Sequence, residues 1–366
     1  MFKNTKLLLV ATATILFSVM LHSCNEGTNG TVTLDITKDP EQFLSAYNFF
    51  TGNLSDLQPS ERVIPYELNT PLFTDYAFKA RFVYVPEGKS ADYDSVNALQ
   101  FPVGSCIIKN FYYPYDFRAP EKGRRIIETR LLVHRESGWQ ALDYVWNDEQ
   151  TDAELDNSGD VKKVSWIHYD GTKKDIDYLI PNKNQCKGCH WTNSGDITPI
   201  GPKIRNLNGN YDYGNGPKNQ IDHLASLGFI TGAPTSATCP KLPVWTDSLN
   251  QTPNNRARAY LEVNCGHCHT PKGPAYTSGL YLNFDNLKEE NLGICKSPVA
   301  AGKATGGILY DIKPGAPDSS ILVFRMESLD PGIKMPEVGR GMVHKEGVEL
   351  IRKWIKEMPA KACVMN

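Results

Sequence analysis

Two short stretches of this chain place two cysteines and a histidine at a spacing that has a specific chemical use. They are Cys186-Lys187-Gly188-Cys189-His190 and Cys265-Gly266-His267-Cys268-His269. In a Cys-x-x-Cys-His motif, the two thiols form thioether bonds to the vinyl groups of one porphyrin and the histidine coordinates its iron. The spacing predicts two covalently bound haem c groups. The expected attachment residues are Cys186, Cys189, Cys265 and Cys268, and the expected iron ligands are His190 and His269.

Two other uses of paired cysteines fit the spacing less well. A four-cysteine zinc site usually joins its pairs through about 15–20 residues, whereas a much longer segment separates Cys189 from Cys265. A thioredoxin-like dithiol needs no following histidine, and here each pair has one. We therefore expect haem at both motifs.

The second iron needs a further axial ligand, and Met335 is the predicted one. It lies in Gly332-Ile333-Lys334-Met335-Pro336-Glu337, ahead of the last apolar segment. A thioether is a soft ligand that favours ferrous iron and raises the haem potential. Met326 and Met342 are the alternatives. His267, between the two cysteines, is expected to face outward.

The sixth ligand of the first iron stays open. No methionine occurs between Met20 and Met326, so a nearby methionine ligand is impossible. The candidates are His168, His223, Lys203, a methionine from the C-terminal part of the chain, or no protein ligand.

The N-terminus predicts export. Lys3 and Lys6 precede an apolar run, Leu7 to Leu21, that is too short to span a bilayer. Leu21-His22-Ser23-Cys24 then resembles a bacterial lipobox, so residues 1–23 are predicted as a signal peptide and Cys24 as a lipid-anchored first residue. A plain secretory peptide is the alternative. Localisation in the cell envelope follows from either interpretation, and a formal charge of −2 argues against nucleic-acid binding.

Four further cysteines are left for disulfide bonds in such an oxidising compartment. Cys106, Cys239, Cys295 and Cys363 could form two bridges with three possible pairings, and spacing does not choose between them.

The predicted fold class is α+β with several domains. Residues 24–59 are expected to form a tether and lead-in, and residues 60–181 a β-rich domain of antiparallel, sandwich-like architecture. Its strands are rich in β-branched and aromatic residues, and Ile127–Arg135 and Trp139–Trp146 make a hairpin. Residues 182–252 hold the first motif, a short helix at 218–227 and a proline-rich linker.

Residues 253–366 are predicted to be mainly helical. A helix from Arg256 to Asn264, capped by Asn254 or Asn255, leads into the second motif. Near the chain end, one helix face is marked by Gly347, Ile351, Trp354, Ile355 and Met358. A helix before the haem motif, a long loop and an apolar final helix make the layout of a class I cytochrome c domain.

Several stretches of the chain are similar to an uncharacterised family of bacterial di-haem c-type cytochromes, many of them lipoproteins. The similarity covers nearly all of the chain after the signal peptide. The stretches are Thr70-Pro71-Leu72-Phe73-Thr74-Asp75-Tyr76, Lys109-Asn110-Phe111-Tyr112-Tyr113-Pro114, Asn184-Gln185, Arg256-Ala257-Arg258-Ala259-Tyr260-Leu261, Pro314-Gly315 and Ser319-Ser320-Ile321-Leu322. The resemblance implies haem at both motifs and, as a candidate partner, a parallel β-helix protein encoded nearby. It implies no substrate.

Single-electron transfer between redox partner proteins is the function that these features favour. The first alternative is an enzyme, in the form of a di-haem peroxidase with an open first haem or a haem subunit of a carbohydrate-active protein. The second is a binding or sensing module.

Overall fold

A computed structural model describes residues 30–192, 194–299 and 301–363 of the 366-residue chain. The predicted signal peptide, the lipobox and Cys24 lie outside these residues. Within them, no helix has the length and apolar character that a membrane span requires.

Eight longer strands and six α-helices make up the labelled elements. The strands are β1 (Val63–Tyr66), β2 (Phe78–Tyr84), β3 (Cys106–Pro114), β4 (Arg124–Arg135), β5 (Gly138–Trp146), β6 (Ala153–Asp156), β7 (Asp160–Ile167) and β8 (Lys173–Ile180). The helices are α1 (Lys183–His190), α2 (Ile204–Leu207), α3 (Gln220–Ser226), α4 (Pro253–Asn264), α5 (Ile321–Glu327) and α6 (Lys345–Glu357). Shorter strands pair 50–51 with 58–59, 91–92 with 230–231, and 210–212 with 217–219.

Strands β1 to β6 form one antiparallel sheet in chain order, so each strand pairs with the next. The predicted hairpin is confirmed: Arg135 pairs with Gly138, and β4 and β5 run antiparallel from that turn. Side chains alternate between the two faces of each strand, so every other residue is directed to the same core. One apolar row across the sheet consists of Phe82, Ile108, Leu131 and Leu142.

That row faces the N-terminal segment of the described chain. Leu44, Tyr47, Phe49 and Phe50 are buried against the sheet, so residues 30–59 contribute to its core as well as leading into it.

Two separate groups of residues cover the opposite face. Helices α2 and α3 pack over one part, around Ile107. The hairpin of β7 and β8 packs over another, around Phe111 and Tyr113. The predicted sandwich is thus one six-stranded sheet with a two-stranded second layer, and a gap remains between the two covers.

Helices α4 and α6 pack against each other to form the C-terminal core. Their buried residues include Leu261 of α4 and Ile351 and Trp354 of α6. The predicted cap of α4 was wrong. Thr252 caps the helix by accepting a hydrogen bond of 3.2 Å from the backbone N–H of Asn255, and Pro253 occupies the first helical position, where its fixed φ suits a helix start.

One disulfide bond joins Cys295 to Cys363 across 68 residues. Cys106 and Cys239 are free and buried in apolar cores on opposite faces of the sheet. Of the two bridges considered from the sequence, the structure therefore contains one.

Candidate functional site

The first Cys-x-x-Cys-His motif forms the second half of helix α1. Asn182 caps this helix: its side chain accepts from the N–H groups of Asn184 and Gln185, and the Gln185 side chain accepts from the Asn182 N–H in return. In a helix, positions i, i+3 and i+4 share one face. Cys186, Cys189 and His190 are therefore presented together, on a helix whose start is held by reciprocal hydrogen bonds.

The second motif forms a helical turn directly after α4. The backbone N–H of Cys265 bonds to the carbonyl of Leu261, and the N–H groups of Cys268 and His269 both bond to the carbonyl of Cys265. The same i, i+3, i+4 geometry thus groups Cys265, Cys268 and His269.

Each motif histidine has one ring nitrogen in a hydrogen bond, and its other nitrogen has no partner among the residues that the structure describes. The Nδ1 of His190 lies 2.9 Å from the carbonyl oxygen of Thr198, which can only accept, so this nitrogen carries the proton. The Nδ1 of His269 lies 3.1 Å from Ser278 Oγ, whose own proton is donated to the Ala275 carbonyl. Both rings therefore keep the lone pair of Nε2 available, as metal-ligating histidines do.

Both imidazoles are also kept neutral, which iron coordination requires. Burial lowers the pKa of His190 to about 4, and the nearby positive charge of Lys109 adds to this shift. Burial likewise lowers the pKa of His269 to about 4, assisted by Arg325. Neutral rings with a fixed tautomer and adjacent thiols fit the haem c predicted at each motif.

The two motifs lie against each other. The Sγ of Cys268 is 3.7 Å from the backbone carbonyl oxygen of Gly188, and the thiols of Cys189 and Cys268 are within hydrogen-bonding distance. A cavity of about 330 Å³ is lined by residues of both motifs, namely Cys186, Cys189 and His190 of the first and Cys265 and His267 of the second. The chain therefore brings together two motifs that are far apart in sequence.

His267 does not face outward as expected. It lines this cavity beside the thiol of Cys189, and its Nδ1 is buried without a hydrogen-bond partner among the described residues. The inward orientation follows from the contact between the motifs, which the sequence does not reveal.

Met335 lines the same cavity, and its backbone N–H donates a hydrogen bond of 3.0 Å to the carbonyl of Arg325. The two alternative methionines, Met326 and Met342, pack in apolar clusters of the fold. Met326 is buried in the C-terminal core, although it also reaches the cavity wall, and Met342 packs on the aromatic cluster beneath the β7–β8 hairpin.

Residues 69–76, called here the docking segment, hold the Met335 loop against the sheet. The carboxylate of Asp75 accepts 2.8 Å and 2.7 Å hydrogen bonds from the backbone N–H groups of Gly341 and Met342. The Phe73 ring stacks on His344 with centroids 4.0 Å apart, and the Tyr76 hydroxyl donates a hydrogen bond to Glu346.

Two residues of the docking segment, Asp75 and Tyr76, have left-handed backbone conformations, with φ of 46° and 62°. Such conformations are costly away from glycine and persist only where surrounding contacts impose them.

Replacing Asp75 by alanine should loosen this attachment. We expect the free energy of unfolding to fall by about 1.5–2 kcal/mol, because hydrogen bonds to a charged acceptor are lost and two N–H groups lose their partner. Denaturant unfolding would measure it, with the exposed Asp175→Ala of β8 as control. Equal stabilities of the two variants would contradict the assigned role of Asp75.

The two histidines and the lysine predicted as candidate sixth ligands of the first iron already have partners in the protein. The indole N–H of Trp166 donates to His168 at 3.3 Å, and His168 is buried beneath Tyr76. His223 stacks on Tyr213 with centroids 3.6 Å apart. Lys203 lines the cavity, but its Nζ is 2.6 Å from Glu262 Oε1 in an ion pair.

A row of cations beside the first motif was not predicted. Arg81, Lys109 and Arg130 pair across β2, β3 and β4 and line the cavity in the gap between the two covers of the sheet. Burial, with the neighbouring arginines, lowers the pKa of Lys109 to about 8. The sequence could have indicated this position. Lys109 is two residues from both Ile107 and Phe111, so its side chain lies on the same face of β3 as theirs.

Among the described residues, no group of three or more His, Cys, Asp or Glu side chains is arranged to hold a bare metal ion. No protein-family model, no curated protein and no solved structure matches this chain.

Proposed function

We propose that this chain is a di-haem c-type cytochrome that transfers single electrons in a bacterial cell envelope, anchored through lipid at Cys24. In this proposal Cys186 and Cys189 hold one haem with His190 as ligand, and Cys265 and Cys268 hold the other with His269. When bound, haem supplies an iron that accepts and donates one electron at a time. The C-terminal part, with α4, α6 and the Met335 loop, would then be a cytochrome c-like domain.

The contact between the two motifs is the observation that most supports electron transfer. Electron tunnelling falls steeply with distance, so a relay needs its two centres close together. The 3.7 Å approach of Cys268 Sγ to the Gly188 carbonyl brings the two attachment sites together.

The surrounding residues would fix the ligands and tune the two centres. Thr198 and Ser278 hold the imidazoles of His190 and His269 in the ligating tautomer. The docking segment would keep Met335 in place, since Asp75 binds the loop that carries it. Redox partner proteins, and as a candidate the parallel β-helix protein implied by resemblance, would exchange electrons with this pair.

Mass spectrometry of the denatured protein tests the proposal. Expressed in a strain competent in haem c maturation, the chain should keep two haems covalently bound, and replacing both cysteines of either motif by serine should leave one. The Cys106→Ala, Cys239→Ala double variant should keep both haems and serves as control. Recovery of the bare polypeptide mass from the wild-type chain would refute the proposal.

A reductive titration then tests electron transfer. Both irons should be reduced and reoxidised reversibly, one electron each. Irreversible reduction, or turnover of peroxide at either iron, would favour the enzyme alternative.

A further inference from the structure

Lys109 is a lysine at a core-facing position with an amine that the protein leaves unused. It lies between Ile107 and Phe111 on the same face of β3, where the two apolar covers of the sheet leave a gap. Lys109 lines the cavity at this gap, together with Cys189 and His190. Lys109 is half-buried there. A lysine at a core-facing position is uncommon unless its charge is paired or its amine has a function.

The other cations of the same face are satisfied. Arg130 donates 3.0 Å and 2.5 Å hydrogen bonds to both carboxylate oxygens of Glu128, and Arg81 donates 3.0 Å to Glu67. The ammonium of Lys79 donates 2.9 Å to the carbonyls of Leu72 and Ala77.

The side chain of Lys109 has neither a hydrogen bond nor an ion pair within residues 30–192, 194–299 and 301–363. Its contact is with the ring of Phe111, whose centroid lies 5.3 Å from Nζ. Among the described residues, the amine of Lys109 is thus the cationic group of this row without a hydrogen-bond partner. Lys109 lines the same cavity as His190, whose Nε2 also has no partner among those residues.

We propose that the Lys109 amine is the sixth ligand of the iron held at the first motif. This inference rests on the proposed function, because it assumes a haem on His190. A primary amine donates a lone pair to iron as an imidazole does, and the resulting His/Lys pair stabilises ferric iron relative to a His/Met pair. The first haem would then be low-spin with the lower potential, and electrons would pass from it to the second.

The neighbours of Lys109 act as positioning residues for this ligand. On the strand face opposite Lys109, Asn110 is fully buried: its side chain accepts from Thr129 Oγ1 at 2.6 Å and donates to the Ala80 carbonyl at 3.3 Å. These bonds lock β3 to both adjacent strands. Arg81 and Arg130 flank the amine, and their charges disfavour its protonated form.

Substitution by arginine separates ligation from charge. Lys109→Arg keeps the positive charge but cannot coordinate iron, so one of the two low-spin ferric signals in the electron paramagnetic resonance spectrum should be lost and one equivalent of carbon monoxide should bind after reduction. Lys203→Arg is the matched control, because Lys203 lines the same cavity and arginine preserves its ion pair with Glu262. It should retain both low-spin signals and bind no carbon monoxide.

Two further measurements keep the inference testable if Lys109→Arg folds poorly. In the wild-type protein, near-infrared magnetic circular dichroism should show one His/Lys and one His/Met charge-transfer band. In Lys109→Met, a thioether placed at the same position should raise the potential of the first haem.

Three results would overturn the assignment: a low-spin first haem that persists in Lys109→Arg, a bis-histidine band in the wild type, or a wild-type first iron that is high-spin and binds carbon monoxide. Haem content is measured first on each sample, so absence of covalent haem counts against the proposed function, whereas two haems with a different ligand count against Lys109 alone.

Discussion

Gly347→Val is expected to destabilise the protein by about 3 kcal/mol, because it inserts a branched side chain where two helices are in close contact. A Cβ atom on Gly347 would lie 2.7 Å from Cε2 of the Tyr260 ring, and the hydroxyl of that ring would be closer still. Real Cβ atoms do not approach so closely, so α6 and α4 must move apart or Tyr260 must leave its rotamer. Overpacking of this kind costs about 1–3 kcal/mol, and valine adds two methyl groups to the Cβ.

The damage should extend to the site. Tyr260 and His344 share a 3.0 Å hydrogen bond, and His344 in turn stacks on Phe73 of the docking segment. Denaturant unfolding with far-ultraviolet circular dichroism would measure the loss, with Glu349→Val as control, since Glu349 is exposed on the same helix and should change stability by under about 1 kcal/mol. Equal effects at both positions would show that the helices do not need a glycine at their contact.

Met335→Ala is expected to abolish the sulfur-to-iron absorption band of the second haem and to lower its potential by on the order of 100 mV or more, because axial ligands set haem potentials over a range of about 0.8 V. This outcome depends on the proposed function. Met335 lines the cavity shared by the motifs, and its backbone is tied to Arg325.

Met342→Leu is the matched control. Met342 packs on the aromatic cluster beneath the β7–β8 hairpin, where leucine replaces its volume, so the band and the potential should be unchanged. Optical spectra and a potentiometric titration of both variants would decide between the two methionines. A band that survives in Met335→Ala and disappears in Met342→Leu would assign the ligand to Met342.

Local sequence patterns predicted the elements well. The richness in β-branched and aromatic residues predicted β4 and β5 as a hairpin, and the 3.6-residue period of Ile351, Trp354 and Ile355 predicted α6. These signals come from residues within a few positions of each other.

Features that depend on distant residues were missed. The inward orientation of His267 requires the motifs to touch, and the role of Asp75 requires a loop more than 250 positions away. The pairing of Cys295 with Cys363, and the free state of Cys106 and Cys239, follow from which face of the fold each occupies. Lys109 is an intermediate case: its spacing from Ile107 and Phe111 could have shown that it faces inward, but only the gap between the two covers shows what it faces.

The contact between Cys189 and Cys268 has a consequence for the order of biosynthesis. In an oxidising compartment, the one that Cys295 and Cys363 need for their bridge, two thiols this close would also oxidise to each other. Such a cross-link would remove one attachment thiol from each motif and leave a chain that can no longer mature. Under the proposed function, at least one of the two porphyrins must therefore be attached before the sheet and the C-terminal helices meet, because a thioether at either cysteine blocks the cross-link. The left-handed Asp75 and Tyr76, whose conformations depend on that meeting, would be among the last residues to reach their final state.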